Sequence, residues 1–238
     1  DLAALGTRGI RALGTDQIAA LTSDGIVALT TAQAGSLTTA QVAGLTSDQI
    51  AALATDDLRA VGTAALRALS TEQLAALTSD QLPQLTTLQV ASLTTAQVAS
   101  LTTDDLTALS TQQFAGMATA QLRALTTDQL SALATDDFAA LGTRGLRAFD
   151  SAQIGALSTD AIVAMTTAQA NSLTTAQVAG LSTDQIATLE STDLRALSTQ
   201  TLRAFSSDQL AALTSDQMPQ LTTQQVAALT TAQIASLS

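Results

Sequence analysis

Residues 42–49 read Val-Ala-Gly-Leu-Thr-Ser-Asp-Gln, and residues 10–17 read Ile-Arg-Ala-Leu-Gly-Thr-Asp-Gln. The same alternation of apolar, small and polar residues extends outward in both directions. From Leu2 the chain divides into 29 complete octads without an insertion or deletion, and the remnant Ile234–Ser238 closes it. Counting from the first apolar residue, position 1 is always apolar. Position 4 is Leu in 25 of 30 occurrences, the exceptions being Val61, Met117, Phe149, Met165 and Phe205. Position 3 is almost always Ala, Ser or Gly, position 6 is always Ser or Thr, and position 8 is Gln in 19 octads and Asp in four. Positions 2 and 7 hold nearly all the charge. A fixed period of this kind is the signature of a repeat architecture.

The octad excludes two regular readings. On a strand, positions 1 and 4 point to opposite faces, and Ala, Leu and Gln are poor strand formers. On one continuous helix, eight residues at about 100° each leave the apolar pair drifting by about 80° per octad, a stripe that no simple partner follows. One very short helix per octad remains. Leu-Thr/Ser-Thr/Ser-x-Gln followed by an apolar residue is a helix start: the hydroxyl accepts from an orphan backbone amide, and Gln three residues on reaches back as in a capping box. Leu at position 4 and the next position 1 then form a hydrophobic staple. The staple favours position 5 as the cap and the unbroken hydroxyl run favours position 6, and both stay open here. Asp at position 7 falls in the first turn and Arg at position 2 near the end, each on the side that the macrodipole favours.

A helix of five or six residues does not survive alone, because nucleation is costly. The expected fold is therefore all-α, an α-solenoid in which octads stack, small residues at position 3 let helices approach, and positions 1 and 4 fill the interior. The chain reads as one repeat domain, 1–238, with a longer echo of seventeen octads: FAALGTR at 138–144 repeats LAALGTR at 2–8, and Pro83 answers Pro219. This divides it into 2–137 and 138–238. Weaker echoes fall at seven octads (LTSD at 21–24 and 77–80) and at ten (LATDD at 53–57 and 133–137). Echoes of seven, ten and seventeen octads approach whole turns at about 3.4 octads per turn, so three to four short helices per turn are expected.

The composition removes much chemistry. The 238 residues (24.1 kDa) include no Cys, His, Trp, Tyr or Lys, and nine Arg face 20 acidic residues for a net charge of −11. No disulfide frame, Cys or His metal site, Ser-His-Asp or Cys-His nucleophile or lysine Schiff base can be built. The charge disfavours tracking of nucleic-acid phosphates, and no apolar run is long enough to cross a membrane. An enzyme, a cofactor and a metal are thus not expected. With 46% apolar and only 12% charged residues, the chain has the balance of a folded protein rather than a disordered one. Its first residues look like the middle of something longer.

The candidate interaction residues are the arginines of position 2: Arg11, Arg59, Arg67, Arg123, Arg147, Arg195 and Arg203. At three to four octads per turn most of them line one side, a stripe able to meet acidic surfaces of another copy; solvated charges pairing with nearby Asp are the plainer reading. The pairs Asp56-Asp57, Asp104-Asp105 and Asp136-Asp137 lack the D-x-D-x-D-G context of a calcium loop and read as helix-start acids. Pro83 and Pro219 read as tolerated inside short helices. Gly at positions 5 and 8 (Gly6, Gly9, Gly14, Gly25, Gly62, Gly142, Gly145) reads as inter-helix turn.

The units LTTAQVAGL (37–45) and LTSDQIAAL (45–53) resemble the short Thr/Gln/Ala-rich repeats of very large bacterial secreted and surface proteins, many of them adhesin-like. The resemblance covers the whole chain. It implies a rigid spacer or stalk at the bacterial cell surface or outside the cell. It also implies an adhesive array. The variable positions 2 and 7 are the ones that would read protein or glycan, and end octads exposed without polar caps would let segments stack end to end. Haem, a label that some such repeats carry, finds no His, Cys or Tyr here. LT-x-x-Q-V is also similar to the start of the TAL-effector DNA-binding repeat, but the length, base-reading pair and basic charge of that repeat are missing.

Overall fold

The computed structural model describes residues 2–237. Among them are 27 α-helices of four to seven residues and three 3₁₀ turns, with no strand. The elements follow the octads one for one. In the helix Thr95–Ser100, Thr94 is the N-cap with an extended backbone, and the extended residue Leu101 leads to the next cap. Position 5 is therefore the cap and position 6 is the first helical residue. Thr94 Oγ1 accepts from the Gln97 amide at 3.1 Å while Gln97 Oε1 accepts from the Thr94 amide at 2.7 Å, the reciprocal pair of a capping box. The acids of position 7 fall in first turns, as at Asp48 and Asp128.

The described residues form two compact units, one ending at Ala124 and the other beginning at Leu125. Each is an α-solenoid. Apart from the first 3₁₀ turn, which leans on the helix Gly6–Ala12, the helix pairs that pack most closely are three octads apart: Thr31–Ala34 with Thr55–Ala60, Thr87–Ser92 with Thr111–Gly116, Thr167–Ser172 with Ser191–Ala196. Position 1 is buried in every octad from Ile10 to Leu210, and position 4 from Leu29 to Leu213. Later octads supply the cover: Val226 and Ile234, with no octad three places beyond them, are 50% and 55% exposed.

Positions 3 and 6 are small because they meet. A Cβ added at Gly116 would strike the Thr87 Cγ2 methyl, and one at Gly180 would strike the backbone carbonyl of Ser151; Gly44 faces Thr15 Cβ at 3.3 Å. Each pair joins position 3 to position 6, the first residue of the helix three places earlier. Position 2 approaches from the other side, where a Cβ on Gly155 would sit 2.6 Å from the Gly180 carbonyl oxygen.

Two expectations need correcting. Gly9, Gly25 and Gly145 lie inside helices (Gly6–Ala12, Ser23–Val27, Gly142–Leu146) rather than in turns between them. Among the described residues only Gly6 and Gly142 take positive φ, both at 59°. There the preceding leucine is helical instead of extended, and a left-handed residue turns the chain without the cost a side chain would add. Pro83 and Pro219 are accommodated, but not inside α-helices. Each removes the amide that would bond four residues back, so these octads keep only the 3₁₀ turns Leu82–Gln84 and Met218–Gln220.

The close approach at Gly180 predicts that Gly180→Ala costs about 1–3 kcal/mol by forcing two backbones apart. Gly62→Ala, where a Cβ meets nothing within 4 Å, should be neutral or stabilising by about 0.4–1 kcal/mol. Urea unfolding of the two variants against the parent checks the contrast.

Candidate functional site

What fixes one octad to another is the position 8 side chain. Gln97 uses its carbonyl oxygen in the capping box and both amide hydrogens elsewhere: Nε2 donates to the backbone oxygens of Leu66 and Leu69, each at 2.9 Å. Gln41 donates to Ile10 at 2.7 Å and Leu13 at 2.8 Å. Gln217 donates to Ile186 at 2.9 Å and Leu189 at 2.7 Å. The acceptors lie 31 and 28 residues upstream, at positions 1 and 4 of the third preceding octad. The position 4 carbonyl needs the donor most, because position 4 is the extended link beyond the last helical turn. The position 1 carbonyl also accepts from the position 4 amide, as Leu66 does from Leu69 at 3.2 Å. From Gln33 onward the position 8 glutamines are almost wholly buried, Gln97 being 2% exposed, while Gln17 near the start is exposed. Among the described residues no buried side-chain nitrogen or oxygen lacks a partner. Only the capping half of this arrangement was expected; the second partner, several octads away, leaves no mark in local spacing.

Where position 8 is not Gln, the ladder thins. Asp105 keeps the capping box with Thr102, its carboxylate accepting from the Thr102 amide at 3.0 Å. Thr201 reaches the Leu173 carbonyl only at 3.4 Å. Asp193, 2% exposed, has its carboxyl pushed above the ordinary value by burial, countered by a hydrogen bond from Thr167 and reinforced by the nearby charge of Glu190. Of the acid pairs, Asp57 and Asp137 are likewise buried, and Asp56, Asp104 and Asp136 are exposed in first turns. Among the described residues no group of three or more Asp or Glu could hold a metal ion, and no helix is long and apolar enough to cross a membrane.

All seven arginines of position 2 are exposed. Arg11, Arg59, Arg123, Arg195 and Arg203 lie in last helical turns, and Arg67 and Arg147 are C-caps, the end where a cation is favoured. Arg147 Nε donates to the Ser172 carbonyl at 3.3 Å, 25 residues on.

Seven stretches match the model of the ALTTAQ repeat: 1–31, 26–55, 50–87, 98–135, 130–167, 162–191 and 186–223. The chain belongs to the ALTTAQ repeat family. The structure gives the six letters of that name physical content. At Ala28–Gln33, where the motif stands letter for letter, they are the small residue Ala28, the buried link Leu29, the cap Thr30, the first helical residue Thr31, an exposed Ala32 and the ladder glutamine Gln33. The matched stretches 26–55 and 162–191 begin seventeen octads apart, as do 50–87 and 186–223, the interval of the long sequence echo. No curated protein matches the chain.

Replacing Gln97 by Met keeps the volume but removes both donors and the cap acceptor; the Leu69 carbonyl and the Thr94 amide are orphaned, while the Leu66 carbonyl keeps the Leu69 amide, and the loss should be about 2–4 kcal/mol. Gln97→Glu keeps the cap acceptor but turns an acceptor toward acceptors, and at neutral pH it should lose at least as much; urea midpoints of the two variants test this. Asp193 gives a pH signature. Its proton is held to higher pH in the folded than in the unfolded chain, so stability falls as pH rises above about 3.8 and levels off once the native carboxyl is ionised. Asp193→Asn should flatten that slope and raise stability at neutral pH, measured as melting temperature between pH 3 and 7.

Proposed function

We infer that this member of the ALTTAQ repeat family is a structural repeat protein. We propose that it works as a rigid spacer in a larger bacterial surface or secreted protein, setting distance rather than performing chemistry. The observation that carries this reading is the glutamine ladder. Each ladder glutamine bonds its octad to an earlier one a full turn away, and within each unit helices pack on those three places before them. A neighbour-locked stack of this kind adds length in proportion to repeat number and resists bending between repeats. Its components suit a passive role: no His, Cys or Lys to carry nucleophilic or acid-base work, and acidic charge that limits unspecific association. A location outside the cell or on its surface follows from the resemblance of the LTTAQVAGL units to repeats of such proteins. No nucleic acid, membrane insertion or cofactor enters this role.

Versions lengthened by whole octads test it. Small-angle scattering should show a maximum dimension rising linearly with octad number, with helical far-UV circular dichroism throughout. Growth with about the 0.6 power of length, the scaling of a coil, would remove the spacer reading.

A further inference from the structure

Charge is ordered around each unit. In the unit ending at Ala124, Arg11, Arg67 and Arg123 stand seven octads apart, and so do Asp24 and Asp80, and Asp48 and Asp104. In the unit beginning at Leu125, Arg147 and Arg203 keep the same interval, as do Asp128 and Asp184, and Asp160 and Asp216. All of these residues are exposed.

The turn converts this interval into geometry. Helices pack at three octads and the ladder bonds at 28 and 31 residues, so a turn closes at about 3.5 octads and seven octads make about two turns. Residues seven octads apart therefore stack in rows. Relative to an arginine row, the acidic helices two and five octads on lie at about 210° and 150°, on the opposite face. The helices three and four octads on, within about 50° to either side, bear no charge: Thr31–Ala34 and Thr39–Ala43 beyond Arg11, Thr87–Ser92 and Thr95–Ser100 beyond Arg67, Thr167–Ser172 and Thr175–Ala179 beyond Arg147. Each unit thus carries an arginine row in a neutral Thr/Ala border, with acid across from it.

We propose that copies of this chain associate side by side, the arginine row of one lying on the acidic face of the next. The argument for a second copy rather than a foreign polyanion is the shared interval. Both faces repeat every seven octads, so one registration brings every arginine of a row opposite acid. The net charge of −11 opposes a free polyanion as it opposes a second copy, but the polyanion has no seven-octad interval to match the row. Single exposed ion pairs contribute little; a row in register acts together and fixes orientation. The contact is heterologous, since the two faces differ, so it does not close at two copies and propagates into arrays. It neither requires nor weakens the spacer reading, whose scattering test is independent.

Sedimentation velocity of the full chain, at salt from about 20 to 300 mM, tests the proposal, because screening shortens the reach of exposed charges. Concentration-dependent association is expected at low salt and at least tenfold weaker association at high salt. The triple variant Arg11→Glu, Arg67→Glu, Arg123→Glu should lose at least tenfold in association at low salt with unchanged circular dichroism, and the corresponding Arg→Lys triple should keep it. A chain that stays monomeric at low salt, or associates equally well after charge reversal, overturns the proposal. So does retention on heparin, lost by the Glu triple, in a chain that does not self-associate.

Discussion

A primary amide at position 8, present in 19 of the 29 complete octads, holds this fold together. A helix of five residues satisfies few of its own backbone groups and buries one stripe of two apolar side chains, far too little to offset its ordering entropy. The position 8 glutamine answers both deficits. Its oxygen closes the front of its own helix, and its nitrogen closes the back of a helix one turn earlier. No other side chain places an acceptor and a two-hydrogen donor on one planar group of that reach. Glutamate lacks the donor, asparagine is shorter by a methylene, and lysine lacks the acceptor.

The ladder works only if helices three octads apart come close, and this explains the small residues that otherwise look like low complexity. Ala, Ser or Gly at position 3 rests against Ser or Thr at position 6 on one side and position 2 on the other. At Gly155 and Gly180 the approach is backbone to backbone. The apolar positions 1 and 4 are then enclosed by neighbouring octads, and Phe114 and Phe138 are wholly buried.

Much of this was legible from residue order. The octad period, the parity argument against strands and the cap-to-Gln spacing lead directly to short helices and to three or four per turn, because each depends on contacts within one octad or on counting. The choice between positions 5 and 6 was not legible, since adjacent hydroxyls such as Thr94 and Thr95 are chemically alike and only the extended backbone at Thr94 separates them. The second job of Gln97 was hidden for a different reason: its acceptors are backbone carbonyls, which every residue owns, so no side-chain pattern at Leu66 or Leu69 announces them. Gly9 and Gly145 misled for the converse reason. They occupy ladder positions inside helices, where glycine's absence of a side chain matters more than its freedom. The arginine row was visible as a list, but its neutral border and acidic opposite face came into view only once the turn had a measured length.

The span of the ladder sets a threshold for assembly of the fold. A bond that reaches back 28 residues cannot form in any piece of chain shorter than that span. As octads are added one by one, the first several gain nothing from the amide that stabilises all later ones. The first turn is a nucleus that must form largely unaided, and each subsequent octad docks onto a surface already in place. Growth beyond that point is a zipper, for which length costs little and a beginning costs a great deal.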